Sequence, residues 1–310
     1  MNILILGYSD LAQRKLIPTI NSLDIFSSYE IASKSKNVEK SKKLSNVYKN
    51  YIKAIKSTTA NTVYVSLPNS LHFEVSRIAL ENNKNVIVDK PAVENIDELD
   101  YLFELANKNH LFISMSSVFN FHKGWNYFKK MSKPNTSKSE VLIAEFTIPS
   151  LNNSNIRLST KLGGGAIKDM GVYASSIGYL FWENSVKKSN VEITKFNRLN
   201  TGFTLMLNYG PGKTMIGNFG FDQSYKNKVV FSNSNNVRTE YNRVFSQPID
   251  YKSEIIKYVK DKKSREMVGK DNSFANYFNY VHEKGNSNKL LLNREFKNIN
   301  LEYLKVFKDV

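Results

Sequence analysis

The sequence predicts an α/β domain with a doubly wound parallel sheet, followed by an α+β domain with an open-faced, mostly antiparallel sheet. Two observations support this fold class. The first hundred residues alternate short apolar runs with helical periods, as βαβ units do. From about residue 120, long segments alternate apolar and polar residues, as strands with one solvated face do. We therefore place the domains at residues 1–118 and 119–310, each long enough to bury its own core.

Five apolar runs predict the parallel strands of the first domain. They lie at residues 3–6, 29–33, 62–66, 85–88 and 111–115. Helical periods between and after them lie at residues 10–23, 38–44, 72–82 and 96–109. Ligands of such sheets bind beyond the carboxyl ends of the strands, so the residues after each run are candidates for a site.

Alternating segments predict the strands of the second domain. They lie at residues 140–148, 191–196, 203–209, 213–219, 228–232 and 237–245. Residues 251–262 and 274–283 and the tail from Leu301 are predicted to be helical. The serine-rich stretch 132–139 is typical of a linker.

Composition excludes several classes of protein. The chain has no cysteine, which excludes disulfides, thiolate metal sites and cysteine catalysis. Its four histidines lack close metal-ligand spacing, so we expect no metal site. No apolar run approaches the ~20 residues that span a bilayer, and the first run is too short for a signal peptide. We expect a cytoplasmic protein without a membrane partner.

The net charge of +16 raises the question of nucleic-acid binding. The lysines are scattered along the whole chain, and asparagine is also abundant, which indicates a general compositional bias. We therefore predict no nucleic-acid partner. A basic protein nevertheless suits anionic small ligands, such as phosphorylated cofactors or nucleotide sugars.

The first strand is followed by a turn that suits a dinucleotide. It consists of Gly7, Tyr8, Ser9, Asp10, Leu11 and Ala12. Gly7 permits a tight turn, and small residues at Ser9 and Ala12 let a pyrophosphate approach the helix N-terminus. Asp10 is equally suited to capping that helix.

The residues after the second strand favour NADP over NAD. NAD-binding turns of this type place an acid here for the ribose 2′-hydroxyl. This chain instead offers Ser33, Lys34 and Lys36, whose hydroxyl and ammonium groups suit a 2′-phosphate. The alternative is that these are solvated loop lysines of a lysine-rich protein.

Three further residues carry groups suited to chemistry. Asp169 and Tyr173 follow the glycines 163–165 and are four residues apart, so they share one helix face. Lys90 comes just after the fourth strand, where ligands of parallel sheets bind. Taken alone, the glycine segment is more typical of a loop before an amphipathic helix.

Together these segments resemble the Gfo/Idh/MocA oxidoreductases, the family of glucose–fructose oxidoreductase and inositol dehydrogenase. The resemblance covers about 170 residues and is carried by the Gly7 turn and the stretches 65–72, 86–91 and 163–173. It implies an NADP-binding Rossmann domain, then a substrate and oligomerisation domain, with the active site between them. The implied further cofactor-binding residues are Ser66, Leu67, Pro68, Asn69, His72, Asp89 and Lys90. His72 is expected to brace a loop rather than to take part in chemistry.

The resemblance also implies the catalytic residues Lys90, Asp169 and Tyr173. Tyr173 stands where many members carry histidine, which favours the branch with glucose–fructose oxidoreductase and some nucleotide-sugar ketoreductases. Asp89 replaces the family's glutamate before the lysine. Asn120 stands where many relatives have an arginine, which leaves substrate contacts there open.

We therefore predict an NADP-dependent oxidoreductase, forming a homo-oligomer, that acts on a sugar, in particular a nucleotide-linked keto-sugar. Either Tyr173 or Lys90 moves the proton, and Asp169 orients a substrate hydroxyl. Alternatives within enzymes are a free-sugar or inositol dehydrogenase and a biliverdin-reductase-like member. An alternative of another class is a non-catalytic sensor of dinucleotides or sugars.

Overall fold

The chain folds into two compact units. The computed structural model describes residues 1–34, 37–260 and 262–308. The first unit comprises Met1–Ser116 and Phe274–Asn300, and the second comprises Ser117–Ser273 and the residues from Leu301. The sequence predicted one division after residue 118, whereas the chain divides after Ser116 and returns to the first unit near its end.

The first unit contains a six-stranded parallel sheet. Its strands are β1 (Asn2–Leu6), β2 (Ser28–Ala32), β3 (Leu44–Tyr48), β4 (Thr62–Val65), β5 (Asn85–Val88) and β6 (Ile113–Met115). Their order is β3-β2-β1-β4-β5-β6. The central strands are buried along almost their whole length, as in sheets covered on both faces. The order reverses beside β1, which is the switch point of a doubly wound sheet.

Short helices connect these strands. A π-helical turn (Ala12–Leu16) leads into α1 (Ile17–Ser22), and the others are α2 (Tyr51–Ser57), α3 (His72–Glu81) and α4 (Ile96–Lys108). Asparagine side chains cap the N-termini of α2 and α4. Asn50 accepts a hydrogen bond from the N–H of Lys53, and Asn95 accepts one from the N–H of Glu98.

The second unit contains an eight-stranded sheet and two helices. The helices are α5 (Lys123–Ser132) and α6 (Ala166–Trp182). The strands are β7 (Glu140–Thr147), β8 (Lys188–Phe196), β9 (Leu199–Asn208), β10 (Lys213–Gly220), β11 (Lys226–Asn233), β12 (Val237–Asn242), β13 (Ser253–Val259) and β14 (Lys262–Val268). All neighbours are antiparallel except β7 and β10. The predicted fold class is confirmed.

Two helices end the chain, α7 (Ser273–Ser287) and α8 (Lys289–Val306). Within the first unit, the Tyr277 hydroxyl lies 2.7 Å from Ser114 Oγ, and Asn293 Oδ1 accepts from the N–H of Ile113 at 2.8 Å. These bonds attach both helices to β6. The predicted C-terminal helices are therefore present, but the second begins well before Leu301.

Two predicted helices are wrong. Residues 38–43 form no helix, because the polar run has too few apolar side chains to bury a face. Residues Leu44–Tyr48 pair with β2 instead. The segment 251–262 contains β13, which pairs on one side with β12 and on the other with β14. Its β-branched side chains at Ile255, Ile256 and Val259 favour a strand.

A buried carboxylate fixes one end of α6. Glu140 accepts a hydrogen bond from Trp182 Nε1 at 2.6 Å, and from the N–H groups of Asn135 and Thr136 at 3.0 Å each. These donors compensate for burying the charge. The stretch predicted as a linker is therefore an ordered turn around Glu140, and it ties the end of α6 to the start of β7.

Candidate active site

The carboxyl ends of four parallel strands lie level with one another. The register pairs Leu6 with Val65, and Val65 with Val88. The residue after each strand donates its N–H to the last carbonyl of a neighbour: Gly7 to Ala32, Ser66 to Leu6, Asp89 to Val65, and Ser116 to Val88. The residues that the sequence assigned to the cofactor at these ends therefore lie side by side.

The dinucleotide turn needs glycine at its first position. Gly7 has a φ of +99°, and a Cβ there would collide with the carbonyl oxygen of Ser66. The turn thus lies directly against the end of β4. Only a residue without a side chain permits this approach.

Ser9 caps the helical segment that follows. Its Oγ accepts a hydrogen bond from the N–H of Ala12 at 3.0 Å, which is the capping role that the sequence offered to Asp10. Ala12 is buried, Tyr8 and Leu11 are half-buried, and Asp10 is exposed.

The Asp89 carboxylate accepts hydrogen bonds from three hydroxyl groups. Tyr64 and Ser116 donate to Oδ1 at 2.6 and 2.8 Å, and Ser66 donates to Oδ2 at 3.0 Å. Burial raises the pKa of Tyr64 well above its usual value, and the charge of Asp89 adds to this effect. Tyr64 therefore remains a hydrogen-bond donor. Tyr64 and Ser116 belong to no sequence motif, so they could not be identified from the sequence.

A directed chain of hydrogen bonds links Asp89 to the dinucleotide turn. Because Ser66 gives its hydrogen to Asp89, the Ser9 hydroxyl donates to Ser66 Oγ, at 2.7 Å. The position of Asp89, immediately before Lys90, thereby depends on the same groups that shape the turn.

His72 joins the turn after β4 to the turn after β5. Its Nδ1 lies 2.7 Å from the Pro91 carbonyl oxygen, and its Nε2 lies 2.8 Å from that of Leu67. This is the bracing role that the sequence predicted. The Lys90–Pro91 peptide is cis, and Asn69 opens a single 3₁₀ turn after Pro68.

The end of β2 carries a cation rather than an acid. Ser33 is buried, and the Lys34 ammonium lies 4.8 Å from the ring centroid of Tyr51. This is a cation–π contact that limits where the ammonium can go. Lys36 lies outside the described residues. Nothing in the sequence pointed to Tyr51.

These features fit a phosphorylated dinucleotide. The turn at Gly7 leaves no room for a Cβ, and Ser33 and Lys34 offer a hydroxyl and an ammonium after β2. Those groups suit a phosphate better than a ribose hydroxyl.

Two of the three consecutive glycines of the second unit, Gly164 and Gly165, are required by contacts within that unit. A Cβ on Gly164 would lie 2.5 Å from the carbonyl oxygen of Arg157. Gly165 has a φ of +112°, and a Cβ there would lie 2.5 Å from Asn200 Oδ1. That same oxygen accepts the N–H of Ile167 at 2.9 Å, in the first turn of α6.

Asp169 holds Arg157, a residue that no sequence motif marks. Its Oδ2 accepts from Arg157 Nε at 2.9 Å, and the Arg157 side chain is 45% exposed against 19% for Asp169. The sequence assigned Asp169 to a substrate hydroxyl, and the structure adds this guanidinium as a partner. A single sequence holds no signal for a partner twelve residues upstream.

Tyr173 lies one turn further along α6, within a cluster of phenyl rings. Its ring centroid is 5.8 Å from that of Phe119, 5.9 Å from Phe146 and 5.4 Å from Phe245. Such edge-to-face and tilted contacts fix the plane of the ring. The half-buried Tyr173 therefore presents its hydroxyl from a rigid position.

The segment that contains Phe119 also holds polar groups. His122 Nδ1 accepts the N–H of Gly124 at 3.0 Å, and burial lowers the pKa of this histidine. The neutral ring therefore carries its proton on Nε2. That nitrogen and Asn120 Oδ1 are buried without a protein partner among the described residues.

Metal-binding clusters and membrane-spanning helices are both absent from the part of the chain that the structure describes. Residues 1–34, 37–260 and 262–308 contain no group of three or more histidine or acidic side chains arranged to hold a metal ion. Within those same ranges, no helix is both long enough and apolar enough to cross a membrane.

Residues 1–117 match the sequence model of the Gfo/Idh/MocA proteins, an oxidoreductase family with an NAD-binding Rossmann fold. Over these residues the chain is similar to the Gfo/Idh/MocA oxidoreductases. The match covers the turn at Gly7, the strand ends and Lys90, which carry much of the resemblance to the family.

Known Gfo/Idh/MocA proteins resemble the chain beyond this region. The dTDP-3,4-didehydro-2,6-dideoxy-α-D-glucose 3-reductase of Actinomadura kijaniata is 26% identical, over 80% of this chain and 76% of its own. The enzyme of that name from Saccharopolyspora spinosa is 23% identical, over 81% and 77%. A solved 3-ketoreductase of A. kijaniata, in complex with NADP and TDP-benzene, has a TM-score of 0.88 at 23% identity. It covers 98% of this chain and 94% of its own, which shows a shared fold.

The link between Ser66 and the dinucleotide turn can be tested by substitution. Ser66→Ala removes the hydroxyl between Ser9 and Asp89, and we expect the Kd for NADPH and NADH to rise roughly tenfold, as for one lost bond to a charged group. Quenching of protein fluorescence measures both constants. Ser76→Ala, which removes a buried hydroxyl from α3, is the matched control. Unchanged affinity in Ser66→Ala would show that the turn does not depend on this link.

Proposed function

We propose that this protein is a Gfo/Idh/MocA oxidoreductase that uses NADP to interconvert a carbonyl and a hydroxyl group on a nucleotide-linked sugar. One observation carries the proposal: the Lys90 and Tyr173 segments occur in a chain that resembles a dTDP-keto-sugar 3-reductase over 80% of its length. The solved 3-ketoreductase with the same fold holds NADP and a TDP compound.

The variants crystallised from that 3-ketoreductase support the choice of residues. One has a lysine replaced and another has a tyrosine replaced, both in complex with TDP-benzene and NADP. The separation of these two positions along its chain differs by one residue from that between Lys90 and Tyr173. A lysine and a tyrosine at this spacing are therefore the first groups to test.

The chemistry requires one proton to move at the sugar oxygen. When bound, the nicotinamide supplies or accepts the hydride at the carbon. In the reducing direction the oxygen gains a proton, which either the Tyr173 hydroxyl or the Lys90 ammonium donates. A proton transferred from a fixed group typically accelerates such a step about a hundred- to ten-thousandfold. Asp169 accepts a hydrogen bond from a hydroxyl group of the sugar and thereby orients the sugar ring.

Ser33 and Lys34 hold the 2′-phosphate of the cofactor in this proposal. The Lys34 ammonium lies against the Tyr51 ring, so less conformational entropy is lost when it meets a phosphate. Gly7 and Ser9 shape the turn that receives the pyrophosphate.

Substitution of Lys90 tests both the reaction and the site. We expect the protein to oxidise NADPH in the presence of a TDP-linked keto-sugar. In Lys90→Ala, we expect kcat to fall at least about a hundredfold while the Kd for NADPH stays within about twofold. Lys56→Ala, an exposed lysine of the same unit, is the control.

Three outcomes would contradict the proposal. Near-full turnover in Lys90→Ala would remove that lysine from the site. Turnover of free sugars or inositol alone would indicate a different substrate class. Dinucleotide binding without turnover on any sugar would indicate a sensor.

The pH profile of Tyr173→Phe then identifies the proton donor, because the profile loses the limb that belongs to the missing group.

Substitution of Lys34 tests the preference for NADP. Lys34→Ala removes the ammonium that we assign to the 2′-phosphate, so the Kd for NADPH should rise about tenfold while that for NADH stays unchanged. Lys53→Ala, exposed on α2, controls for the loss of a positive charge. An equal change for both cofactors, or a wild type that prefers NADH tenfold, would contradict the assignment.

We also propose that the protein is a homo-oligomer that associates through the outer face of its eight-stranded sheet. The helices α5 and α6 pack on the other face. The outer face carries a row of apolar side chains that pair across four strands: Met206, Ile216, Ile143 and Val230. The first three are 54%, 46% and 39% exposed. A two-fold axis through this row would place it against the same row of a second copy.

A charge in the centre of this row tests the association. Ile216→Lys places an ammonium among apolar neighbours, so the oligomer should dissociate because burying an unpaired charge is costly. Sedimentation equilibrium measures the mass. Ile96→Lys, at a 45% exposed isoleucine of α4, is the matched control. A monomeric wild type, or an unchanged mass in Ile216→Lys, would refute the proposal.

A further inference from the structure

The backbone of Arg157 is held from two sides. Its N–H donates to Asn155 Oδ1 at 3.0 Å, and its carbonyl accepts the N–H of Gly165 at 2.8 Å. The same carbonyl lies against Gly164, where even a methyl group would collide with it. This part of a surface loop is therefore ordered before any ligand arrives, which lowers the entropy lost on binding.

The side chain of Arg157 is oriented as well. Nε donates to Asp169, a residue in the first turn of the 17-residue helix α6. Within residues 1–34, 37–260 and 262–308, the terminal nitrogens Nη1 and Nη2 donate to no protein acceptor. A guanidinium held at Nε presents its remaining N–H groups as a planar fork, the geometry that matches two oxygens of a phosphate.

Stability alone explains this arrangement poorly. An ion pair in which the arginine is 45% exposed contributes little to folding, because water screens it. Yet three other residues, Asn155, Gly164 and Gly165, serve to place the same arginine. Between residues 151 and 173 the chain carries Arg157, Lys161 and Lys168 against the single carboxylate of Asp169. The segment therefore keeps a positive charge after the pair has formed.

The position along α6 places this cation close to Tyr173. Asp169 and Tyr173 are four residues apart, about 6 Å along the helix axis. In a nucleotide-linked sugar, the diphosphate is attached directly to the sugar that reacts. A cation one helical turn from the proposed proton donor is thus at the distance at which a diphosphate would lie.

We propose that Arg157 binds the diphosphate of the substrate and that Asp169 acts as its positioning residue. This inference rests on the proposed function, since it names the part of the nucleotide-linked substrate that the second unit recognises. Asp169 then positions Arg157 in addition to accepting a hydrogen bond from a sugar hydroxyl. Arg157 distinguishes nucleotide-linked sugars from free sugars, which have no group for the guanidinium to bind.

Titration with thymidine diphosphate tests the role of Arg157, because this probe contains the diphosphate but no reacting sugar. For Arg157→Ala, we expect the Kd for thymidine diphosphate and the KM for a TDP-linked keto-sugar to rise about ten- to a hundredfold. The Kd for NADPH should stay unchanged. Arg157→Lys should recover only part of the affinity, since an ammonium cannot bind two oxygens in one plane. Lys161→Ala, which removes an exposed cation from the same loop, is the matched control.

Two further variants test the positioning. Asp169→Asn should weaken thymidine diphosphate binding, although the probe has no sugar hydroxyl of the kind that Asp169 would otherwise accept. Combining it with Arg157→Ala should weaken binding no further than Arg157→Ala alone. Gly164→Ala displaces the Arg157 backbone and should show the same loss with Arg157 present.

The outcomes separate this inference from the proposed function. If the wild type turns over a TDP-linked keto-sugar but Arg157→Ala binds thymidine diphosphate as well as the wild type, the inference is wrong and the function stands. A loss of kcat in Arg157→Ala at unchanged affinity for the probe also overturns it, since Arg157 would then only support α6. A wild type that neither binds the probe nor accepts nucleotide-linked sugars overturns both.

Discussion

The parallel register of the first sheet is the constraint on which the cofactor half of the site depends. Because β1, β4, β5 and β6 end level with one another, the residue after each strand is bonded to its neighbour. This brings Ser66 and Ser116 to the carboxylate of Asp89, which three hydroxyl groups surround. Asp89 in turn precedes Lys90 and is linked through Ser66 to Ser9. The dinucleotide turn and the catalytic candidate are therefore held by one network.

Much of this could be predicted from the sequence, for reasons that differ between the two units. Apolar runs such as Ile3–Leu6 are local signals, so five of the six parallel strands and the residues that follow them could be predicted, whereas the polar strand β3 was missed. The helix predicted at residues 251–262 failed because Ile255 and Ile256 put apolar side chains on both faces, and only pairing with β12 and β14 decides the structure. Tyr64, Ser116 and Arg157 carry no local signal. Their roles depend on partners that the fold brings together.

The glycines 163–165 lie beside candidate site residues, as the sequence predicted, but the structural reason for the glycines differs from the one that the sequence suggests. A glycine run beside an acid and a phenol suggests close approach to a ligand. In the structure, Gly164 and Gly165 instead leave room for the Arg157 carbonyl and the Asn200 amide. The requirement for small residues is thus internal, and its effect is to order an arginine next to the Asp169 side chain. Asp89 likewise stands in place of the family's glutamate, and its carboxylate accepts a hydrogen bond from the Tyr64 hydroxyl.

The ring of Phe245 has a consequence for how this site can evolve. It packs against Tyr173 although it lies more than seventy residues away, just after β12. A slip of one residue in the β11–β12 hairpin would shift the segment that follows β12 and present Val244 or Ser246 in its place. The length of the turn at residues 234–236 therefore sets which side chain supports the tyrosine. Insertions there would change the side chain that packs against Tyr173 without altering any candidate site residue.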